Sequence, residues 1–314
     1  VNPSLQGYLA AMEESLAEAG SLADAASEMG AVADMVDASN ELTLAIDDGS
    51  VPATVRRAVL DDLLEGKVRS EVRRLVHQAV TVVPAADVTT SFHWLAARLG
   101  SAAGHGADPT ASVEDLAVLG RMGSRNRVSG YAAAVFEGAT TAELEEIEDQ
   151  LFRFARTVEN NRALRTALGD RDLPVLVRQQ VIVDLFADKV LPATKRLAAY
   201  AVQGGRARDI VATLDALVED AARARGWRVA RVHSANTVDD TQRQNLGEAL
   251  GRLTGGPVEL QVIVDAELLG GVIVEVGDLL VDGTARHRLN ELKEHLLASE
   301  ADYRIPQGRE TADG

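Results

Sequence analysis

The first two hundred residues of this chain are written twice, and that duplication limits the possible folds more than any compositional feature. Residues 51–80 align without a gap on residues 173–202, at an offset of 122 (177 minus 55). The match pairs Pro52 with Pro174, Val55 with Val177, Arg56 with Arg178 and Asp62 with Asp184. It continues through Lys67 and Lys189, Arg74 and Arg196, and Leu75 and Leu197. One inserted residue further up, Gly7-Tyr8 falls on Gly130-Tyr131. A duplicated module followed by a different C-terminal segment belongs to binding and scaffold proteins more often than to enzymes.

Within each copy the apolar residues recur at helical spacing. In 141–158 they fall at Leu144, Ile147, Leu151, Phe154, Ala155 and Val158, the stripe of one buried helix face. Asp172 with Pro174, and Leu191-Pro192, are helix start signals. Each copy then reads as six helices. The first holds the Gly-Tyr pair, the second is long and acidic, and the third is short, around Leu42 or Leu164. A fourth follows the proline, a fifth starts near 70 or 191, and a sixth near 87 or 208. Short polar connections favour antiparallel bundle packing. The predicted fold is mainly α, with two six-helix bundles in tandem, 1–100 and 124–226, joined by a Gly/Ala/Ser-rich linker over 101–123.

After Gly226 the period changes. WRVARVHSA (227–235) alternates and is β-branched, as a strand does, and DDTQRQNLGEALGRLTGG (239–256) is a helix with an acidic cap and a glycine pair at its end. PVELQVIVD (257–265) and GGVIVEVGDLLVDG (270–283) alternate again, and 284–299 returns to helix. This predicts a small α+β domain over 227–299, and a polar, disordered tail over 300–314. Trp94 and Trp227 are expected as core anchors.

Charge and composition exclude several classes. Thirty-two basic against forty-eight acidic residues give a formal charge of −16, which repels nucleic acid and anionic lipid. The first basic side chain is Arg56, so the amino-terminal helices present either a solvated acidic face or a docking face for a basic partner. The absence of cysteine removes disulfides and thiolate chemistry. No apolar run approaches the length of a membrane span, and no secretory signal opens the chain.

Candidate chemistry is thin. Gly270-Gly271 and Gly277 lie in and around a strand, whereas a nucleotide loop needs its glycines between a strand and a helix. Asp265, Asp278 and Asp282 sit at strand ends, where carboxylates bond to turn amides. His105 lies in the linker, His233 lacks a partner at motif spacing, and His287 and His295 are eight apart without a metal-binding pattern. No cofactor is expected. The alternative reading is a small-ligand or nucleotide-binding enzyme using the 227–299 domain, with a pocket at Gly270, Gly271 and Asp282.

Surface for partners is what remains. The Tyr131, Ala132, Ala133, Ala134, Val135 helix and the Leu197, Ala198, Ala199, Tyr200, Ala201 helix would form a shallow groove if adjacent. A foreign amphipathic helix could lie close there, each buried apolar anchor contributing roughly 1.5–3 kcal/mol. Equally, the alanines could face the bundle's own core.

The segments VHSANTVDDTQRQNL (232–246) and VDAELLGGVIVEVGDLLVDGTARHRLNEL (264–292) closely resemble the C-terminal signature of the δ subunits of F-type ATP synthases, the family of the mitochondrial oligomycin-sensitivity-conferring protein. SGYAAAVFEGA (129–139) and EIEDQLFRFARTVENNRAL (146–164) resemble that family's N-terminal helical domain. The signature residues are Asp265, Gly270, Gly271, Gly277, Asp278, Asp282 and Gly283. A second, upstream helical copy looks like the actinobacterial form, some members of which continue upstream into a fused b segment, and a start at Val1 fits such a piece.

The resemblance implies a non-catalytic stator adaptor in the peripheral stalk, supporting proton-driven ATP synthesis at the cytoplasmic face of the cell membrane. Its N-terminal bundle would hold the N-terminal helices of α subunits in a groove between first and fifth helices. Its C-terminal domain would hold the b stalk, and β would be touched only indirectly. Carried onto this sequence, the groove is Tyr131, Ala134, Val135, Leu197, Tyr200 and Ala201. Tyr8, Ala11, Met12, Leu75, Val76 and Ala79 are its images in the first copy, which would hold another α helix, the b stalk or nothing.

Overall fold

The computed structural model describes residues 1–105, 120–170, 172–204, 209–254, 257–265, 268, 270–276 and 279–283. The chain divides into two compact units, Val1–Arg225 and Gly226–Gly314. Residues 106–119 of the predicted linker, Gly277, Asp278, the predicted 284–299 helix with His287 and His295, and the tail lie outside the described residues.

Both copies belong to the first unit. The first comprises α1 (Pro3–Glu18), α2 (Leu22–Asp37), α3 (Asn40–Asp47), α4 (Ala53–Leu64), α5 (Ser70–Val82) and, after a 3-10 turn, α6 (Val88–His105). The second comprises α7 (Arg121–Glu137), α8 (Thr141–Asn160), α9 (Arg162–Gly169), α10 (Val175–Phe186), α11 (Pro192–Gly204) and α12 (Ile210–Ala224). Six helices per copy is the predicted architecture. Two ends of the predicted linker are helical instead: α6 runs on to His105 and α7 starts at Arg121. Alanine at 102 and 103 carries α6 forward, because its helix propensity offsets the neighbouring glycines.

The sequence matches are explained by shared local devices. Ser39 caps α3 by accepting the amide of Leu42 at 3.3 Å, and its image Asn161 caps α9 by accepting that of Leu164 at 3.0 Å. The start of each fifth helix is held from the second helix: Glu28 accepts the amide of Arg69 at 2.8 Å, and its image Gln150 accepts that of Leu191 at 3.0 Å. The retained arginines close the short third helices. Arg56 donates to the carbonyl of Ile46 at 2.9 Å and Arg178 to that of Leu168 at 3.3 Å, each from a side chain only 7% exposed. Removing either donor orphans a buried carbonyl. Arg56→Met is therefore expected to lower stability by about 2 kcal/mol, read from urea midpoints. An unchanged midpoint would show that the repeated arginine is not structural.

Within each copy the second and sixth helices pack along one another, α2 on α6 and α8 on α12. Leu5, Leu60, Leu75, Phe92 and Leu95 in one copy, and Leu151, Ile182, Leu197 and Leu214 in the other, are fully buried. Trp94 is half-buried and is not among the buried core residues, contrary to the expectation for it. The two copies meet through their first helices, α1 lying along α7.

The second unit carries β1 (Arg228–Ser234), α13 (Asp240–Thr254), β2 (Val258–Val264), β3 (Val272–Val276) and β4 (Leu279–Asp282) in a sheet of order β2-β1-β3-β4. β1 and β2 are parallel, as a strand–helix–strand crossover requires, and β3 and β4 are antiparallel to their neighbours. The alternating stretch 270–283 is thus two strands, with Val276 paired to Leu279. Ala230, Val232, Leu250, Val258, Leu260, Val274 and Val276 form this unit's core. Trp227 is 37% exposed and lies outside that core, contrary to the expectation for it. It immediately precedes the first residue of β1.

Candidate functional site

The join between the copies is built on glycine. A Cβ on Gly7 of α1 would sit 1.8 Å from the carbonyl oxygen of Arg127 in α7. A Cβ on Gly130 would sit 1.9 Å from the carbonyl oxygen of Ser4. Positions 7 and 130, and 4 and 127, correspond at the same offset (130 minus 7; 127 minus 4), so one contact is made twice about a local pseudo-twofold axis. The missing side chains let the two backbones touch.

Polar contacts repeat about the same axis. The Tyr8 hydroxyl donates to Glu137 Oε2 at 2.6 Å, and the Tyr131 hydroxyl donates to Glu14 Oε2 at 2.5 Å. Glu14 and Glu137 are themselves images (137 minus 14 is 123). Arg74 of α5 donates through Nε to Glu137 at 2.6 Å and through Nη2 to the carbonyl of Ala134 at 2.9 Å. Its image Arg196 on α11 lies 3.9 Å from Glu18 of α1. Each first helix therefore reaches the fifth helix of the other copy. Burial, then the Glu137 bond, raises the Tyr8 hydroxyl far above its ordinary pKa, and burial with the Glu14 charge does the same for Tyr131. Both phenols remain proton donors across any physiological pH.

This exchange decides the fate of the predicted groove. Tyr131, Ala134, Leu197, Tyr200 and Ala201 are at most 3% exposed. In the first copy Tyr8, Ala11, Met12, Leu75, Val76 and Ala79 are at most 6% exposed. Tyr131 stacks on Tyr200 at 3.9 Å between ring centroids and 11° between planes. Two fully open grooves are not what the fold presents, because the two first helices cover one another. Apolar faces of tyrosine and alanine cannot stay wet when a matching face is tethered on the same chain.

Part of the surface survives as an open cavity of about 310 Å³. From the predicted set, Ala11 and Met12 of α1 and Ala134 and Val135 of α7 line it together. Arg74 and Arg196 flank it, and Ile147, Leu191, Pro192 and Ala193 complete its second-copy wall. Glu143 also lines it, but that carboxylate is committed to the capping box of α8, accepting from both the amide and the hydroxyl of Thr140 at 2.8 Å.

Sequence reading did not single out the half-buried carboxylate of Glu13. Burial pushes Glu13 of α1 up to about 7, helped by neighbouring Glu14 and opposed by Arg98 of α6. Its Oε1 is buried without a hydrogen-bond partner. The signal for Arg74, Arg196, Glu14 and Glu137 was present in the repeat, which retains all four charges. Glu13 had no such signal, since its image is Phe136.

In the second unit the signature residues Asp265, Gly270, Gly271, Asp282 and Gly283 lie at strand ends and turns around the sheet. Gly270 and Gly271 have φ of 119° and 84°, left-handed values that favour glycine, between β2 and β3. The amide of Asp265 donates to the carbonyl of Ser234 at 2.8 Å, and that of Gly283 to Val272 at 2.8 Å. Asp282 ends β4, opposite Ile273, and is exposed. Among the described residues no group of three or more metal-ligating side chains converges, and no described helix is long and apolar enough to cross a membrane.

With the geometry in place, comparison with known proteins is informative. The family model described as ATP synthase delta (OSCP) subunit matches residues 128–296. ATP synthase subunit delta of Nocardia farcinica is 32% identical over 270 residues, 86% of this chain and 88% of the relative. That of Salinispora arenicola is 33% identical over 280 residues, covering 89% and 90%. That of Kineococcus radiotolerans is 34% identical over 247 residues, covering 77% and 81%. A chain of the Toxoplasma gondii mitochondrial ATP synthase hexamer aligns weakly, with a TM-score of 0.38 and 19% identity over 54% of this chain and 97% of that one.

Proposed function

The chain belongs to the ATP synthase delta (OSCP) subunit family, and from that premise we propose that it is the stator adaptor at the top of the peripheral stalk. In this reading the Val1–Arg225 unit holds the N-terminal helix of an α subunit. The second unit holds the end of the b stalk, whether separate or fused upstream. The protein works at the cytoplasmic face of the cell membrane, touches β only indirectly, and makes or breaks no covalent bond. Its task is to bear torque while the rotor turns.

The observation that carries this reading is the cavity in which Ala11, Met12, Ala134 and Val135 converge. It is a recess between helices whose wall mixes small apolar residues with two arginines, and a helix can lay two or three side chains into such a recess. The duplicated bundle suits a load-bearing role because the glycine crossing and the paired Tyr–Glu bonds lock the copies together.

The reading is tested with a synthetic peptide of the cognate α N-terminal helix and the full chain. Calorimetry should register binding, and Val135→Asp should weaken it by about tenfold or more, because the new carboxylate is desolvated by the docked helix. The intact chain should also co-purify with α and β subunits. A flat titration with the wild-type chain, together with no co-purification, rejects the adaptor role.

A further inference from the structure

Resting on the adaptor reading, we infer that the cavity takes one amphipathic helix with a carboxylate directed at Arg196, and that the duplicated chain therefore holds one such helix and not two. The cavity straddles the pseudo-twofold axis: Ala11 and Ala134, Met12 and Val135, Ser15 and Gly138, and Arg74 and Arg196 are image pairs that all line it. A site on an axis is shared by the two copies. It cannot be filled twice.

The remaining wall makes the site one-sided. Ile147, Leu191, Pro192 and Ala193 line it from the second copy. At the last three of these positions the first copy has Arg69, Ser70 and Glu71. Arg69 is engaged there by Glu28 at 3.1 Å and Asp24 at 3.4 Å, so the mirrored surface is polar and already paired. Apolar side chains of a docked helix gain burial on one side only.

Charge selects the partner. The protein carries −16 overall, yet this recess is flanked by two arginines. Arg74 is spent on Glu137 and the Ala134 carbonyl. Arg196 is held more loosely: its Nε is buried without a hydrogen-bond partner, its ion-pair partner Glu18 stands 3.9 Å away with a side chain 72% exposed, and Glu14, which accepts from Tyr131, acts on it only through its charge. The lining carboxylate Glu143 is occupied by Thr140. A carboxylate on the docked helix would complete Arg196, while a basic side chain at the same place would be repelled by its guanidinium group.

The test uses the full chain and two peptides of the α N-terminal helix, one with glutamate and one with lysine at the position flanking its apolar face. Calorimetry should give a stoichiometry of one for the glutamate peptide. The lysine peptide should bind about tenfold or more weaker to wild type, and Arg196→Glu should invert that preference. Arg196→Gln, which keeps the stem of the side chain, should reduce the difference between the peptides without inverting it. Two equivalents bound, or identical affinities for both peptides in all three chains, overturns the inference while leaving the adaptor role standing. No binding by either peptide to wild type overturns the inference, and if α and β also fail to co-purify with the chain the adaptor role falls with it.

Discussion

Gly130→Ala is expected to destabilise the Val1–Arg225 unit by about 3 kcal/mol or more, a large effect for a single methyl group. The new Cβ would lie 1.9 Å from the backbone oxygen of Ser4, and Gly7→Ala meets the Arg127 oxygen at 1.8 Å. Neither obstacle is the end of a flexible side chain, so α1 and α7 must separate. Separation also breaks the bonds from Tyr8 to Glu137 and from Tyr131 to Glu14. Glycines elsewhere supply the control. Gly30 in α2 and Gly100 in α6 have nothing within 4 Å of a built Cβ, and alanine there should stabilise the helix by up to about 1 kcal/mol. The double variant Gly7→Ala, Gly130→Ala should cost little more than either alone, because helices already parted cannot clash again. Thermal melting with hydrogen exchange on α1 and α7 reads all of these. If Gly130→Ala melts with wild type and leaves exchange unchanged, the copies are not joined at this crossing.

That crossing also shows what the sequence could and could not disclose. The duplication, the six helices per copy, the α+β end and the δ-type signature were legible because apolar period, caps and turn residues are local. The stripe Leu144, Ile147, Leu151, Phe154 and Val158 is buried as the period required. Which surface covers the Tyr131 and Leu197 faces is a long-range matter. An alanine-lined face satisfies a bundle's own core, a partner's helix or another copy equally well, and here α1 of the first copy lies on it. The repeat carried a clue in the retained Gly-Tyr pair and in Glu14 and Glu137, since a tyrosine and a carboxylate kept together in both copies can bond reciprocally across an axis. One sequence offers no covariation to turn such a clue into a contact. The split of 270–283 into β3 and β4 was hidden for a simpler reason: alternation continues on both sides of residues 277–278, and period alone does not mark where a chain reverses.

The stability of the same unit should fall as pH rises from about 4.5 to 7, with Glu13 as the principal cause. Desolvation raises its carboxyl from 4.5 to about 7. The charged groups facing it are Arg98 on α6, Glu14 on its own helix, and Tyr200 on α11, which is itself influenced by Arg127. In this window the unfolded chain releases the proton while the folded chain keeps it, so folding is favoured at the acidic end and the advantage is lost through pH 7. Glu14, also raised by burial although its bond from Tyr131 opposes the shift, acts in the same direction. Glu13→Gln keeps the shape and removes the titration. It should match wild type near pH 4.5 and exceed it by about 2–3 kcal/mol at pH 8, measured as the difference between urea transitions at each pH. Subtracting the two curves cancels every other titrating group. A gap that stays constant from pH 5 to 8 would mean that Glu13 is ionised throughout, and that its carboxylate is solvated instead of enclosed.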